Sequence, residues 1–120
     1  LITAMERRIP IGFQFSGSIL DFMVLAILRN GDTYGYVLTQ RAKELMDLSD
    51  STLYPILRRL QKEGALLTYD QPFQGRNRRY YSLTGQGQRT LDAYIQDWNH
   101  YKERIEQILA EGESRPQEED

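Results

Sequence analysis

The sequence has no cysteine and a single histidine. The first absence removes disulfides, thiolate zinc sites and cysteine nucleophiles together. The second leaves His100 without an evident serine or cysteine partner, so it reads as a solvated side chain. No catalytic group, metal site or cofactor is expected. Long apolar runs are also missing. No stretch reaches about 18 apolar residues, which excludes a helical membrane span, and the apolar segment Ile19–Leu28 is both too short and interrupted by Asp21. Leu1–Pro10 carries Arg7 and Arg8 with no apolar core behind them and does not read as a secretory signal. The expected compartment is the cytoplasm.

What is present fits one folded unit. The 120 residues are 40% apolar and 27% charged, enough for one compact domain and too few for two. The formal charge of −2 argues against nucleic acid until its distribution is read. Glu111–Asp120 holds five acids and only Arg115, a solvated tail by pattern. Between Tyr54 and Arg89, by contrast, stand seven bases (Arg58, Arg59, Lys62, Arg76, Arg78, Arg79, Arg89) against Glu63 and Asp70. The positive charge is concentrated.

Residues 1–16 look irregular, with Pro10 and Gly12 opposing an early helix. Nine of the ten residues Ile19–Leu28 are apolar, so this helix must be covered on more than one side; a second subunit is the natural cover. Asn30-Gly31-Asp32 ends it. Asp32 or Thr33 is expected to cap a second helix through Met46, with Val37, Leu38, Ala42, Leu45 and Met46 inward. Ser49 or Ser51 caps a third helix to Glu63, stopped by Gly64. Its core stripe is Leu53, Ile56, Leu57 and Leu60. Pro55 requires either that the helix begin near Ser51 or that it bend there.

After Gly64 the period changes. Ala65–Tyr69 and Arg79–Leu83 read as strands of a hairpin whose long polar tip is Asp70–Asn77. Thr84 opens a last helix bearing Leu91, Ile95, Trp98, Ile105 and Leu109 at three-to-four spacing. Gly85-Gln86-Gly87 is half of a phosphate-loop pattern in the wrong context, and Gly87 is better explained by close packing or weak helix initiation.

The order helix, helix, turn, helix, basic hairpin is that of a winged helix-turn-helix: mainly α (α+β), with a two-stranded wing and a C-terminal dimerisation helix. The expected units are residues 13–83 for DNA binding, 84–111 for dimerisation, and an acidic disordered tail at 112–120. Opposite the core stripe of the third helix lie Ser51, Tyr54, Pro55, Arg58 and Lys62. That face carries hydroxyls, an aromatic ring and cations, the groups that reach base edges and phosphates in a major groove. Thr52 and Arg59 join them as candidates, with Gln74, Arg76, Asn77 and Arg78 on the wing. Arg79 stands apart, since strand alternation turns it to a different face from Arg78. The same cations also suit an ordinary wet helix face.

In combination these residues resemble the PadR family of transcriptional regulators. The likeness rests on Tyr34-Gly35-Tyr36, Ser51-Thr52-Leu53-Tyr54-Pro55, Arg58-Arg59-Leu60, Gly64, Gly75-Arg76-Asn77-Arg78-Arg79-Tyr80-Tyr81, Leu83-Thr84 and Gly87. A single C-terminal helix resembles the short type. The resemblance implies a homodimer on double-stranded DNA, most often a repressor. It also implies a flat hydrophobic pore at the dimer centre for planar aromatic or hydrophobic small molecules. Trp98 matches the pore tryptophan, with Phe15, Ser18, Phe22, Ile95 and Lys102 around it; Asp21 and Phe22 make this wall bulkier than an open pore needs. An indole there also fits plain interface core. Two alternatives remain: an enzyme, for which no constellation is found, and a winged-helix protein-interaction module without DNA binding.

Overall fold

The computed structural model describes residues 15–114, with side chains from 19 to 113. Its elements are α1 (Phe15–Arg29), β1 (Thr33–Tyr34), α2 (Gly35–Met46), α3 (Asp50–Lys62), β2 (Leu66–Phe73), β3 (Arg76–Leu83) and α4 (Gly85–Ser114). α1 buries Val24, Leu25 and Leu28 completely or nearly so, while Leu20, Phe22, Ala26 and Ile27 pack around that centre. α2 adds Leu38 and Ala42, α3 adds Leu53, Ile56, Leu57 and Leu60, and α4 adds Leu91. Leu45 leaves the expected stripe of α2: it lies in the last turn and is 54% exposed. Met46, the last residue of the helix, still packs against the core.

The ends of α3 are set by short-range chemistry. Ser49 takes the N-cap position with extended backbone, and its carbonyl accepts from the amides of Thr52 and Leu53 at 3.1 and 3.0 Å. Its hydroxyl lies near those of Ser51 and Thr52. Pro55 stands well inside the helix; having no N–H, it leaves the Ser51 carbonyl without its helical donor. At the other end Gly64 has φ 89°. Its amide donates to the Gln61 carbonyl at 3.1 Å, and that of Ala65 to the Leu60 carbonyl at 2.9 Å. These two bonds form a Schellman stop that a glycine in left-handed geometry permits.

The sheet departs from expectation in two ways. It has three strands in the order β1-β3-β2, all antiparallel. Thr33 and Tyr34, the first expected as a helix cap, instead pair with Tyr81 and Tyr80 of β3. The N-cap of α2 is Tyr34, without a side-chain bond. The hairpin tip is also far shorter than its polar composition suggests. β2 and β3 stay in register to Phe73↔Arg76, leaving Gln74-Gly75 as the turn. Both turn residues have positive φ, 53° and 78°, the primed geometry that matches strand twist. Pro72 is tolerated because β2 is an edge strand. One pair in from the closing pair, its missing N–H faces outward.

Thr84 caps α4. Its hydroxyl accepts from the Gly87 amide at 2.9 Å and donates to the Gly64 carbonyl at 2.6 Å, tying the start of α4 to the end of α3. α4 then runs through Ser114, beyond the expected boundary at 111. No helix of the described residues is long and apolar enough to cross a membrane.

Candidate nucleic-acid interface

The core stripe of α3 leaves Ser51, Thr52, Pro55, Arg58, Arg59 and Lys62 exposed. Tyr54 is half-buried rather than free. Its hydroxyl lies 3.4 Å from that of Thr39, which in turn donates to the Gly35 carbonyl at 2.8 Å. A methyl added to Gly35 would stand 3.5 Å from the Tyr54 oxygen, so the first turn of α2 closes directly over this side chain.

The two faces of the hairpin differ. One carries Leu66, Tyr81 and Leu83 inward at its base, and further out Asn77 and Arg79. The other bears an aromatic ladder. Tyr34, Tyr80 and Tyr69 are neighbours across three strands, at ring separations of 5.5 and 5.4 Å, and Phe73 lies 5.8 Å from Tyr34. Arg78 is laid over the Tyr34 ring at 4.7 Å and Phe73 at 5.9 Å, a cation–π arrangement. Its Nε is buried without a partner among the described residues. Tyr69 donates to Asp32 at 2.6 Å, and this bond holds its phenol above the ordinary range.

Between the α3 side and the hairpin lies an open groove of about 340 Å³. Tyr34, Gly35 and Tyr36 line it from the β1–α2 junction, Tyr54 from α3, and Asn77, Arg78, Arg79 and Tyr81 from β3. Burial pushes the Tyr81 phenol up, Tyr54 adds to this, and the nearby Arg79 and Arg58 guanidiniums oppose it. Arg58 belongs to the helix and Arg79 to the wing. A concave, tyrosine-lined surface rimmed by arginines suits a phosphodiester backbone.

The predicted site residues divide accordingly. Tyr54, Asn77 and Arg78 line the groove. Ser51, Thr52, Pro55, Arg58, Lys62, Gln74 and Arg76 stand exposed on helix or wing. Arg59 is engaged elsewhere, with Asp21 and Glu63. Five groove residues lay outside the expected site: Tyr34, Gly35, Tyr36, Arg79 and Tyr81. Arg79 alternates with Arg78 along the strand, yet both line the groove; Arg79 also pairs with Asp70 at 3.6 Å. Tyr36 is 66% exposed; only the packing of α2 against the wing reveals it.

The residues expected around a ligand are divided between α1 and α4. Phe22 and Ile95 are half-buried, with the Phe22 ring 5.6 Å from Tyr94, and Trp98 is 38% exposed. Lys102 is exposed. Phe15 and Ser18 carry side chains outside the described residues. Beyond Trp98 the helix presents Ile105, Ile108 and Leu109 to solvent. His100 accepts from the Arg104 Nε at 3.0 Å, and no cluster with metal-ligand chemistry occurs among the described residues.

Comparison with known proteins gives a consistent answer. The model of the transcriptional regulator PadR-like family matches residues 24–93. The crystal structure of smu.1704 from Streptococcus mutans is similar, with 40% identity and a TM-score of 0.70 over 82% of this chain and 91% of that one. A PadR-like transcriptional regulator from Bacillus cereus aligns at 26% identity and a TM-score of 0.73, covering 80% and 96%. Bacillus subtilis PadR, solved in complex with operator DNA, aligns at 27% identity and 0.56, covering 64% of this chain and 46% of that one.

Proposed function

This chain belongs to the PadR-like family of transcriptional regulators, a family of regulators and not of enzymes, and on that footing we propose that it is a cytoplasmic, homodimeric repressor of the short type. α3 enters the major groove of duplex DNA, with Ser51, Thr52, Tyr54, Pro55, Arg58 and Lys62 toward bases and phosphates. The hairpin is the wing, and Gln74, Arg76, Asn77, Arg78 and Arg79 follow the adjacent backbone. One observation carries the reading: the arginine-rimmed groove that joins Tyr54 on α3 to Asn77 and Arg79 on the wing. A protein-interaction module has no need of Arg78 and Arg79 on the wing wall with Arg58 exposed on the neighbouring helix.

The exposed stripe Trp98, Ile105, Ile108 and Leu109 on α4 supports pairing with a second copy. Two copies related by a twofold axis would present two α3 helices to successive major-groove turns of a pseudo-palindromic operator, about 34–36 Å apart. Trp98, one turn from Ile95 and Lys102 along α4, would stack a planar aromatic effector at that junction, with Phe22 of α1 adding to the wall. Such a molecule releases DNA only if it binds the other dimer geometry better.

The test is a duplex of mixed sequence titrated at several salt concentrations. Affinity should fall steeply with salt, and Arg58→Gln and Arg76→Gln should each reduce the slope by about one. Affinity that ignores salt would remove the reading.

A further inference from the structure

Arg58 and Arg59 are adjacent, chemically identical and both exposed, yet they do different things. Successive residues of a helix point about 100° apart. Arg58 therefore shares the outer crest of α3 with Ser51, Pro55 and Lys62, while Arg59 is turned to the flank that meets α1. There its guanidinium holds both oxygens of Asp21, Nη1 to Oδ2 at 3.1 Å and Nη2 to Oδ1 at 2.5 Å. Glu63, one turn on, accepts from Nη1 at 3.5 Å.

The partner is withdrawn from water: the Asp21 side chain is only 12% exposed. A carboxylate so placed is costly without its cation, and a two-pronged guanidinium fixes orientation as well as distance. The next residue of α1, Phe22, faces a different element, with its ring 5.6 Å from Tyr94 on α4. Consecutive residues thus grip α3 on one side and α4 on the other.

We infer that Arg59 is a positioning residue and not a DNA contact: the Arg59–Asp21 pair is the strut by which α1 sets the pose of α3 against the duplex. The inference rests on the DNA-binding reading above. It assigns Asp21 a purpose within an otherwise apolar helix. It also gives a route from α4 to the DNA, since a shift of α1 at Phe22 carries the Asp21 carboxylate with it.

The test uses the full chain, a duplex selected from random sequence by the unaltered protein, and a scrambled duplex. Affinity is measured across a salt series for Asp21→Asn, Arg59→Gln, Arg59→Lys and the Asp21→Asn/Arg59→Gln double variant, with thermal unfolding alongside. Each single change should weaken binding to the selected duplex by about twofold to thirtyfold, more than to the scrambled one, and leave the salt slope unchanged. The double variant should be no weaker than the weaker single.

A phosphate-contacting Arg59 gives the opposite pattern and overturns the inference. Arg59→Gln then lowers the slope by about one, Arg59→Lys keeps slope and affinity, and Asp21→Asn tightens binding by freeing a cation. Unchanged binding in all singles overturns it too. Should Asp21→Asn fail to fold, Arg59→Lys decides alone, because it keeps the charge on a half-exposed side chain and loses only the fork. Absence of salt-dependent binding by the unaltered protein removes the DNA reading itself, whereas the phosphate-contact pattern leaves that reading standing.

Discussion

Gly87 and Ala65 approach so closely that a methyl on Gly87 would stand 2.2 Å from the Ala65 carbonyl oxygen and 2.8 Å from Leu83 Cδ1. That carbonyl also accepts from the Thr84 amide at 3.1 Å, so the start of α4 is pressed onto the strand entering the wing. Helix propensity alone says that alanine at 87 should stabilise by up to about 1 kcal/mol. The contact says the reverse. Gly87→Ala should destabilise by about 1–3 kcal/mol, the usual cost of overpacking, and lower the melting temperature by several degrees. A rise in melting temperature would disprove the contact.

The phenols of Tyr69 and Tyr81 are both held above their ordinary value of 10.0, the first by its bond to Asp32, the second by burial. The unfolded chain releases these protons near that value and the folded chain holds them longer. Their contribution is therefore complete below about pH 10 and disappears as pH rises through the folded pKa values. Stability measured by denaturant titration should fall with increasing pH in that window. Tyr81→Phe should leave neutral-pH stability nearly unchanged and make the alkaline decline shallower; an identical decline would exclude Tyr81 as a source.

Elements whose partners are local could be read from the chain alone. The stripe Leu53, Ile56, Leu57 and Leu60 is buried as its spacing requires, and Gly64 ends α3 because its φ of 89° suits few other residues. What could not be read depends on distant pairing. Thr33 and Tyr34 are a strand only because Tyr80 and Tyr81 arrive beside them. Asp70 to Phe73 look like loop, yet edge-strand pairing extends the ladder to the turn. Arg59 is set apart from Arg58 by a carboxylate 38 residues earlier. Spacing gives the flank on which Arg59 sits and not what waits there.

Gln74 occupies a left-handed position, φ 53°, in the two-residue turn. Asparagine adopts that region several-fold more readily, and Asn-Gly is the strongest primed-turn pair. Gln74→Asn should stabilise the chain by about 0.5 kcal/mol or slightly more. The gain should appear in equilibrium denaturation with no change in slope against denaturant. A loss of stability would mean that the Gln74 side chain makes an interaction the turn geometry does not reveal. A change in DNA affinity at equal salt would place Gln74 at the interface.

Ile105 and Leu109 are 51% and 62% exposed in the single chain, so their replacement should not disturb the fold of one subunit. In a twofold pair each is met by the same helix of the other copy. Burying such a side chain is worth about 1.5–3 kcal/mol, and two from each subunit is enough to decide association. Aspartates there would remove that gain and place four carboxylates along one seam, which like-charge repulsion disfavours further. Ile105→Asp/Leu109→Asp should therefore sediment at the monomer mass, with an unchanged helical spectrum and unfolding still cooperative. Affinity for a selected two-half-site duplex should collapse, because the second α3 is no longer held on the same molecule at the right distance. Affinity for a single half-site should persist, since α3 and the wing are untouched. A variant that stays dimeric would show that another surface joins the subunits, and that the apolar end of α4 faces something other than its own copy.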